Sequence, residues 1–174
     1  MASQALRALP NMLSASRIVL AGIFVVTDGS MARLGIVAAA GMTDFLDGFL
    51  ARRVGATSRW GALVDPISDR FFALTAVATL LFEGLLTVPQ YFALILRDLA
   101  TALGFLVAKA MPSLRPADFK ARWTGKTVTG LQFAALAAAL VVRDVVPVLV
   151  LLVVLASAAS IIDYTVALWR ARVR

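Results

Sequence analysis

"MTDFLDGFLARRVGATSRWGALVDPISDR", residues 42–70, sets four aspartates and four arginines between two long apolar runs. Asp44 and Asp47 are three residues apart near the end of one helical stretch, and Asp65 and Asp69 are four apart near the start of the next. On a helix each spacing puts both carboxylates of a pair on one face. If the two helices are neighbours, four carboxylates converge at one place.

The rest of the chain says what kind of place that is. Of the 174 residues 61% are hydrophobic, against roughly 45–50% in soluble domains, and the mean hydropathy is +0.89. This composition predicts an all-α integral membrane protein. The net charge of +7 suits a protein whose loops face an anionic leaflet. The expected partner is therefore membrane lipid and not nucleic acid, since no soluble basic surface is evident. With no cysteine and no histidine, disulfides, thiolate metal sites, cysteine nucleophiles and imidazole bases are excluded. Carboxylates, basic groups, hydroxyls and amides must carry any chemistry.

Six apolar segments are predicted, over 12–27, 33–52, 61–86, 89–109, 124–142 and 145–169, most with the roughly 20 residues that cross a bilayer. Arg17 leaves only residues 18–26 uninterrupted in the first. That length also suits a signal-peptide core, with "SMA" at 30–32 resembling a cleavage site, but five more segments follow and the polar residues before Arg17 have a use described below. No repeat or long linker divides the chain, so one domain over 1–174 is expected. Arg52, Arg53, Arg59, the basic residues of 109–126 and those of 170–174 fall on the side shared by both termini. The other side's connections hold only Arg33 and Arg143, each near an acidic residue. The positive-inside rule then predicts six transmembrane helices in a multi-pass inner-membrane protein, with both termini and a polar cavity facing the cytoplasm.

Four carboxylates at membrane depth need compensation. Oxygen-only ligation suits hard divalent cations, Mg2+ or Mn2+, and four carboxylates around two ions form the kind of clamp used in phosphoryl chemistry. Gly48 and Gly61 remove side chains beside the aspartates, so backbone can approach a bulky ligand. Arg52 can pair with phosphate, while Thr57 and Ser58 offer hydroxyls. Such a pocket suits a diphosphate or a nucleotide.

Asp44, Asp47, Gly48, Ala51, Arg52, Gly61, Asp65 and Asp69 fit D-x2-D-G-x2-A-R-x8-G-x3-D-x3-D at every spacing, and in this the chain resembles the CDP-alcohol phosphotransferases. "PNMLSASR" (10–17) is similar to the opening of the branch that makes anionic phospholipids, and "RDL" (97–99) and "GKTVTGLQ" (125–132) extend the resemblance over most of the chain. Arg70 stands where many relatives carry lysine. The resemblance implies six helices, a homodimer, and a metal pair held by Asp44, Asp47, Asp65 and Asp69. Asp69 would also serve as general base, as a carboxylate must where histidine is lacking. Gly48, Arg52, Ser58 and Gly61, with Asn11 and Ser14 from the first segment, would hold the donor, CDP-diacylglycerol. The implied reaction displaces CMP by an alcohol hydroxyl.

For the acceptor, glycerol 3-phosphate is favoured, because Lys126, Arg97, Arg17, Arg122 and Lys120 could supply a cationic pocket for its phosphate. Against this, a basic cytoplasmic loop is the ordinary topology signal for Lys120 and Arg122, and Arg97 could pair with Asp98. Phosphatidylglycerol, the acceptor of a cardiolipin synthase of the same fold, is the alternative that "RD" in place of "RE" favours. From another class, acidic residues within spans also mark divalent-cation transporters, which need no nucleotide pocket. Trp60, Trp123 and Trp169 read as interfacial anchors, and "FAALAAAL" (133–140) as a packing surface.

Overall fold

The computed structural model describes the backbone of residues 4–54, 61–110 and 123–172, and the side chains of residues 12, 15–46, 70–96, 98–100 and 127–162. All regular structure among them is helical: α1 (Gln4–Val26), α2 (Ser30–Val54), α3 (Gly61–Phe82), α4 (Val88–Ala110), α5 (Trp123–Val141) and α6 (Val146–Arg172), with one 3-10 turn at Arg143–Val145 before α6. Each helix corresponds to one of the six expected segments. The shortest, with 19 residues, is about 28 Å long at 1.5 Å per residue, close to the thickness of a hydrocarbon core. Among the described residues, Arg143–Ile162 alone is long and apolar enough throughout to cross a membrane. Ala15–Val26, Arg70–Phe82 and Thr127–Val141 are shorter apolar stretches.

The helix ends have local causes. α3 stops four residues before the expected limit because Gly84 takes the left-handed conformation at φ 69°. There the Gly84 N–H donates to Leu81 O at 3.0 Å and the Leu85 N–H to Leu80 O at 2.9 Å. These two bonds are the Schellman pattern, which satisfies the last carbonyls and turns the chain. At the start of α4, Gln90 Oε1 accepts from the Thr87 N–H at 2.8 Å, half of a capping box, and Pro89 occupies a first-turn position where no N–H is needed. Between α1 and α2, Thr27 donates through both its N–H and its Oγ1 to Ile23 O, at 2.9 and 2.6 Å, and Gly29 turns at φ 94°. Residues 30–32, the resemblance to a cleavage site, are the first turn of α2.

The backbone divides into two compact units, Met1–Leu86 with Leu136–Arg143, and Thr87–Ala135 with Asp144–Arg174. In the first, α1 packs on both α2 and α3. The buried positions recur at helical spacing: Arg17, Ala21 and Phe24 on α1, Arg33, Val37 and Ala40 on α2, Phe72, Ala76, Val77 and Leu80 on α3. The Phe24 and Phe72 rings meet edge to face, with centroids 6.1 Å apart. The Arg33 guanidinium lies 5.2 Å over the Phe24 ring and forms a two-pronged ion pair with Glu83, one prong Nη2–Oε1 at 2.7 Å and the other Nη1–Oε2. In the second unit α4 packs on α6, whose buried positions are Val146, Val150, Val153, Ser157 and Ser160.

The described interior is mainly apolar but includes several polar groups, and large apolar side chains lie on the outside. Arg17, Arg33, Asp98, Gln132, Ser157 and Ser160 are buried, while Val19, Val26, Phe45, Phe82, Val148, Leu151, Leu155 and Ile162 are exposed. Scattered exposed apolar residues are ordinary, but large ones recurring along successive helices over a partly polar interior are not.

Candidate active site

The signature is carried by two helices. α2 holds Asp44, Asp47, Gly48, Ala51 and Arg52 toward its C-terminal end, and α3 holds Gly61, Asp65 and Asp69 in its opening turns. The expected one-turn spacing within each aspartate pair is therefore realised, because both pairs sit in continuous helix. Both helices pack on α1, which carries Asn11, Ser14 and Arg17. Arg97 lies on α4 and Lys126 on α5. Ser58, Lys120 and Arg122 lie outside the described residues, as do the side chains of Asn11, Ser14, Asp47, Arg52, Asp65, Asp69, Arg97 and Lys126.

Asp44 and Arg17 are the expected site residues whose side chains are described, and they meet. Arg17 Nη1 donates to Asp44 Oδ1 at 3.2 Å. The Arg17 side chain is 2% exposed and that of Asp44 is 38% exposed. The guanidinium is thus fixed inside the protein while the carboxylate remains open to a ligand. The sequence placed these residues in separate roles, Asp44 on metal and Arg17 on the acceptor phosphate, and the structure joins them across α1 and α2. Among the described residues no three acidic groups come together, and Asp44 is the one signature aspartate with a described side chain.

A second polar cluster was not singled out in the sequence, although both of its parts lie in stretches quoted for the resemblance. Gln132 on α5 donates through Nε2 to Asp98 Oδ2 at 2.8 Å and to Leu94 O at 2.6 Å, both on α4. Gln132 and Asp98 are each 6% exposed. A buried carboxylate needs donors, so "RDL" and "GKTVTGLQ" are coupled by this amide. An amide on α5 and a carboxylate on α4, each inside an expected span, were the available signal. Arg97, next along α4, was expected either to bind phosphate or to pair with Asp98; its side chain lies outside the described residues.

Comparison with known proteins agrees with this layout. Residues 7–168 match the CDP-alcohol phosphatidyltransferase family. The chain is 32% identical over 149 residues to "Cardiolipin synthase (CMP-forming)" of Homo sapiens, covering 76% of this chain and 50% of that protein. It is 32% identical over 108 residues, 58% of this chain and 61% of the other, to the CDP-diacylglycerol--glycerol-3-phosphate 3-phosphatidyltransferase of Aquifex aeolicus. The enzyme of that name from Escherichia coli (strain K12) is 31% identical over 140 residues, 74% of each chain. Matches to the human and Aquifex proteins thus span about half to three fifths of those relatives' lengths. With the match running from before Arg17 to near the end of α6, and the eight signature positions in register on α2 and α3, the chain belongs to the CDP-alcohol phosphatidyltransferase family.

Proposed function

We propose that this protein is a multi-pass membrane enzyme that transfers the phosphatidyl group of CDP-diacylglycerol to glycerol 3-phosphate, with release of CMP. The observation that carries this reading is the unbroken signature on α2 and α3 beside a buried arginine of α1. It is supported by the Aquifex and Escherichia coli relatives, whose names state this reaction. The large apolar side chains exposed along the helices support a lipid surround, because exposed valine, leucine and phenylalanine cost nothing against acyl chains. Six spans in one domain, both termini in the cytoplasm and a homodimer complete the proposal.

The donor set fits hard cations: it consists of carboxylates alone, and the Asp44 side chain is partly open. Asp44, Asp47, Asp65 and Asp69 would hold two divalent ions, Mg2+ or Mn2+, which when bound neutralise the diphosphate and stabilise the leaving CMP. Asn11, Ser14, Gly48, Arg52, Ser58 and Gly61 hold the cytidine diphosphate. Lys126, Arg97, Arg17, Arg122 and Lys120 offer positive charge to the acceptor phosphate. Asp69 accepts the proton of the acceptor hydroxyl as its oxygen attacks the phosphorus next to diacylglycerol. The bond from that phosphorus to the oxygen bridging to CMP breaks, and the electron pair leaves with CMP.

A cardiolipin synthase, with phosphatidylglycerol as acceptor, is the second reading, favoured by Asp98 in "RDL" and by the human relative. Purified protein supplied with CDP-diacylglycerol and each acceptor in turn, with the lipid product identified by mass spectrometry, decides between them. Phosphatidylglycerophosphate is expected; product from phosphatidylglycerol alone would refute the glycerol 3-phosphate assignment.

A further inference from the structure

The amide of Gln132 is oriented by its partners. Its Nε2 donates to Leu94 O at 2.6 Å and to Asp98 Oδ2 at 2.8 Å. A main-chain carbonyl can only accept, so Leu94 alone decides which end of the amide faces α4. Both N–H groups of Nε2 are therefore spent on one turn of α4. Oε1 is left at the other end, and no hydrogen bond reaches it from the described residues. Gln132 is 6% exposed, and a buried carbonyl oxygen without a donor is costly. Among the described residues, the fully enclosed polar atoms that lack a partner do not include this Oε1, so it borders space that a small donor group can enter. A side chain whose only task were to tie α5 to α4 would need the two donors and not this oxygen.

The neighbouring sequence positions select the donor group. Arg97, one of the cations proposed for the acceptor phosphate, sits between Leu94 and Asp98 in the turn of α4 that Gln132 grips. Lys126, another of them, lies six residues before Gln132 on α5, about 9 Å along the helix. An acceptor whose phosphate is held by these two helices carries its hydroxyls beside the same pair. We infer that Gln132 Oε1 accepts a hydrogen bond from the non-reacting hydroxyl of the acceptor's glycerol group. Glycerol 3-phosphate and the headgroup of phosphatidylglycerol share this chemistry: a terminal hydroxyl that attacks and a middle hydroxyl that does not. A fixed acceptor for the middle hydroxyl turns the glycerol backbone one way and so orients the terminal oxygen for attack. Leu94 O and Asp98 then act as supports that hold the amide in this orientation. The inference rests on the phosphatidyl transfer proposed above and adds the group on α5 that reads the acceptor.

The test compares acceptors that differ by this one hydroxyl, using the purified full-length protein with CDP-diacylglycerol. One pair is glycerol 3-phosphate and 3-hydroxypropyl phosphate, the other phosphatidylglycerol and phosphatidyl-1,3-propanediol, and the pair that the wild type uses names the source of the glycerol group. Within that pair the wild type should favour the compound with the middle hydroxyl by about 3–10-fold in kcat/KM, the scale of one neutral hydrogen bond. Gln132→Leu should lose about that factor on the hydroxylated acceptor and almost nothing more on its analogue, because deleting either partner already removes the bond. The KM for CDP-diacylglycerol should stay near the wild-type value. Gln132→Leu is also less stable, so Glu83→Gln, destabilised in the other unit, serves as the control and should keep the wild-type preference. If Gln132→Leu does not fold, as judged by circular dichroism, Gln132→Met and the preference of the wild type itself carry the test. A wild type indifferent to the middle hydroxyl, or a preference kept in a folded Gln132 variant, overturns the inference while the transfer reaction stands. Absence of CMP release with all of these acceptors overturns the proposed reaction and the inference with it, so the two failures are distinguishable.

Discussion

Glu83→Gln should destabilise the protein more than Arg33→Met, although both break the same ion pair. The Arg33 side chain is 6% exposed and that of Glu83 is 39% exposed, so the two partners differ in what happens when each is left alone. Removing one partner of a fully buried pair costs about 3–5 kcal/mol. Water reaches the Glu83 side and screens part of that, which brings the cost of Glu83→Gln to about 2 kcal/mol. Arg33→Met leaves a carboxylate that water can solvate and keeps most of the buried volume. Its loss is the contact with the Phe24 ring and a half-exposed ion pair, about 1 kcal/mol in all. The double substitution Arg33→Met/Glu83→Leu should lie near the wild type, because an apolar pair of similar volume often replaces a buried ion pair without loss. Thermal unfolding in one detergent should place Glu83→Gln about 4–8 °C below the wild type, at roughly 2–4 °C per kcal/mol for a chain of this size. Equal losses in the two single variants, or a larger one in Arg33→Met, would refute the reasoning from exposure.

Phe72→Ala should cost about 3–5 kcal/mol, measured by denaturant unfolding, because it empties a fully buried site against Phe24. Gln132→Leu leaves the buried Asp98 without its amide donor and should cost about 1–3 kcal/mol in the same assay, with Gln132→Asn recovering little because the shorter side chain falls short of α4. Asp47→Asn or Asp65→Asn should abolish CMP release at any workable Mg2+ concentration, and near-normal turnover in either would overturn the two-metal proposal. A cysteine at Ala56 should react with a membrane-impermeant thiol reagent from the cytoplasm and one at Asp28 from the opposite face; Asp28 is preferable to Gly29, whose φ of 94° disfavours a side chain.

Much of the fold was legible because helix formation is local. Hydropathy runs placed all six helices to within a few residues at most ends, and α1, which begins at Gln4, shows the largest difference. There residues 4–11, in which Gln4, Arg7 and Asn11 interrupt alanines and leucines, continue the helix beyond the apolar run that marked it. At the other extreme, α3 ended earlier than its hydropathy because backbone conformation at Gly84 outweighs the apolar character of Leu85 and Leu86.

By itself the sequence determined the helical class, the one-turn spacing of each aspartate pair and the oxygen-only chemistry open to a chain without histidine or cysteine. These follow from the 3.6-residue period and from residue type, and both are written along the chain. Only the tertiary structure decided the partners of the buried charges. Arg33 could have been assigned to Asp28, five residues away, but it pairs with Glu83, fifty residues away. Asp98 receives Gln132 from another helix, and Arg17, assigned to a substrate phosphate, holds Asp44. A buried charge takes the partner that helix packing brings within about 3 Å, and that depends on how two helices lie against each other, which no spacing within either one encodes.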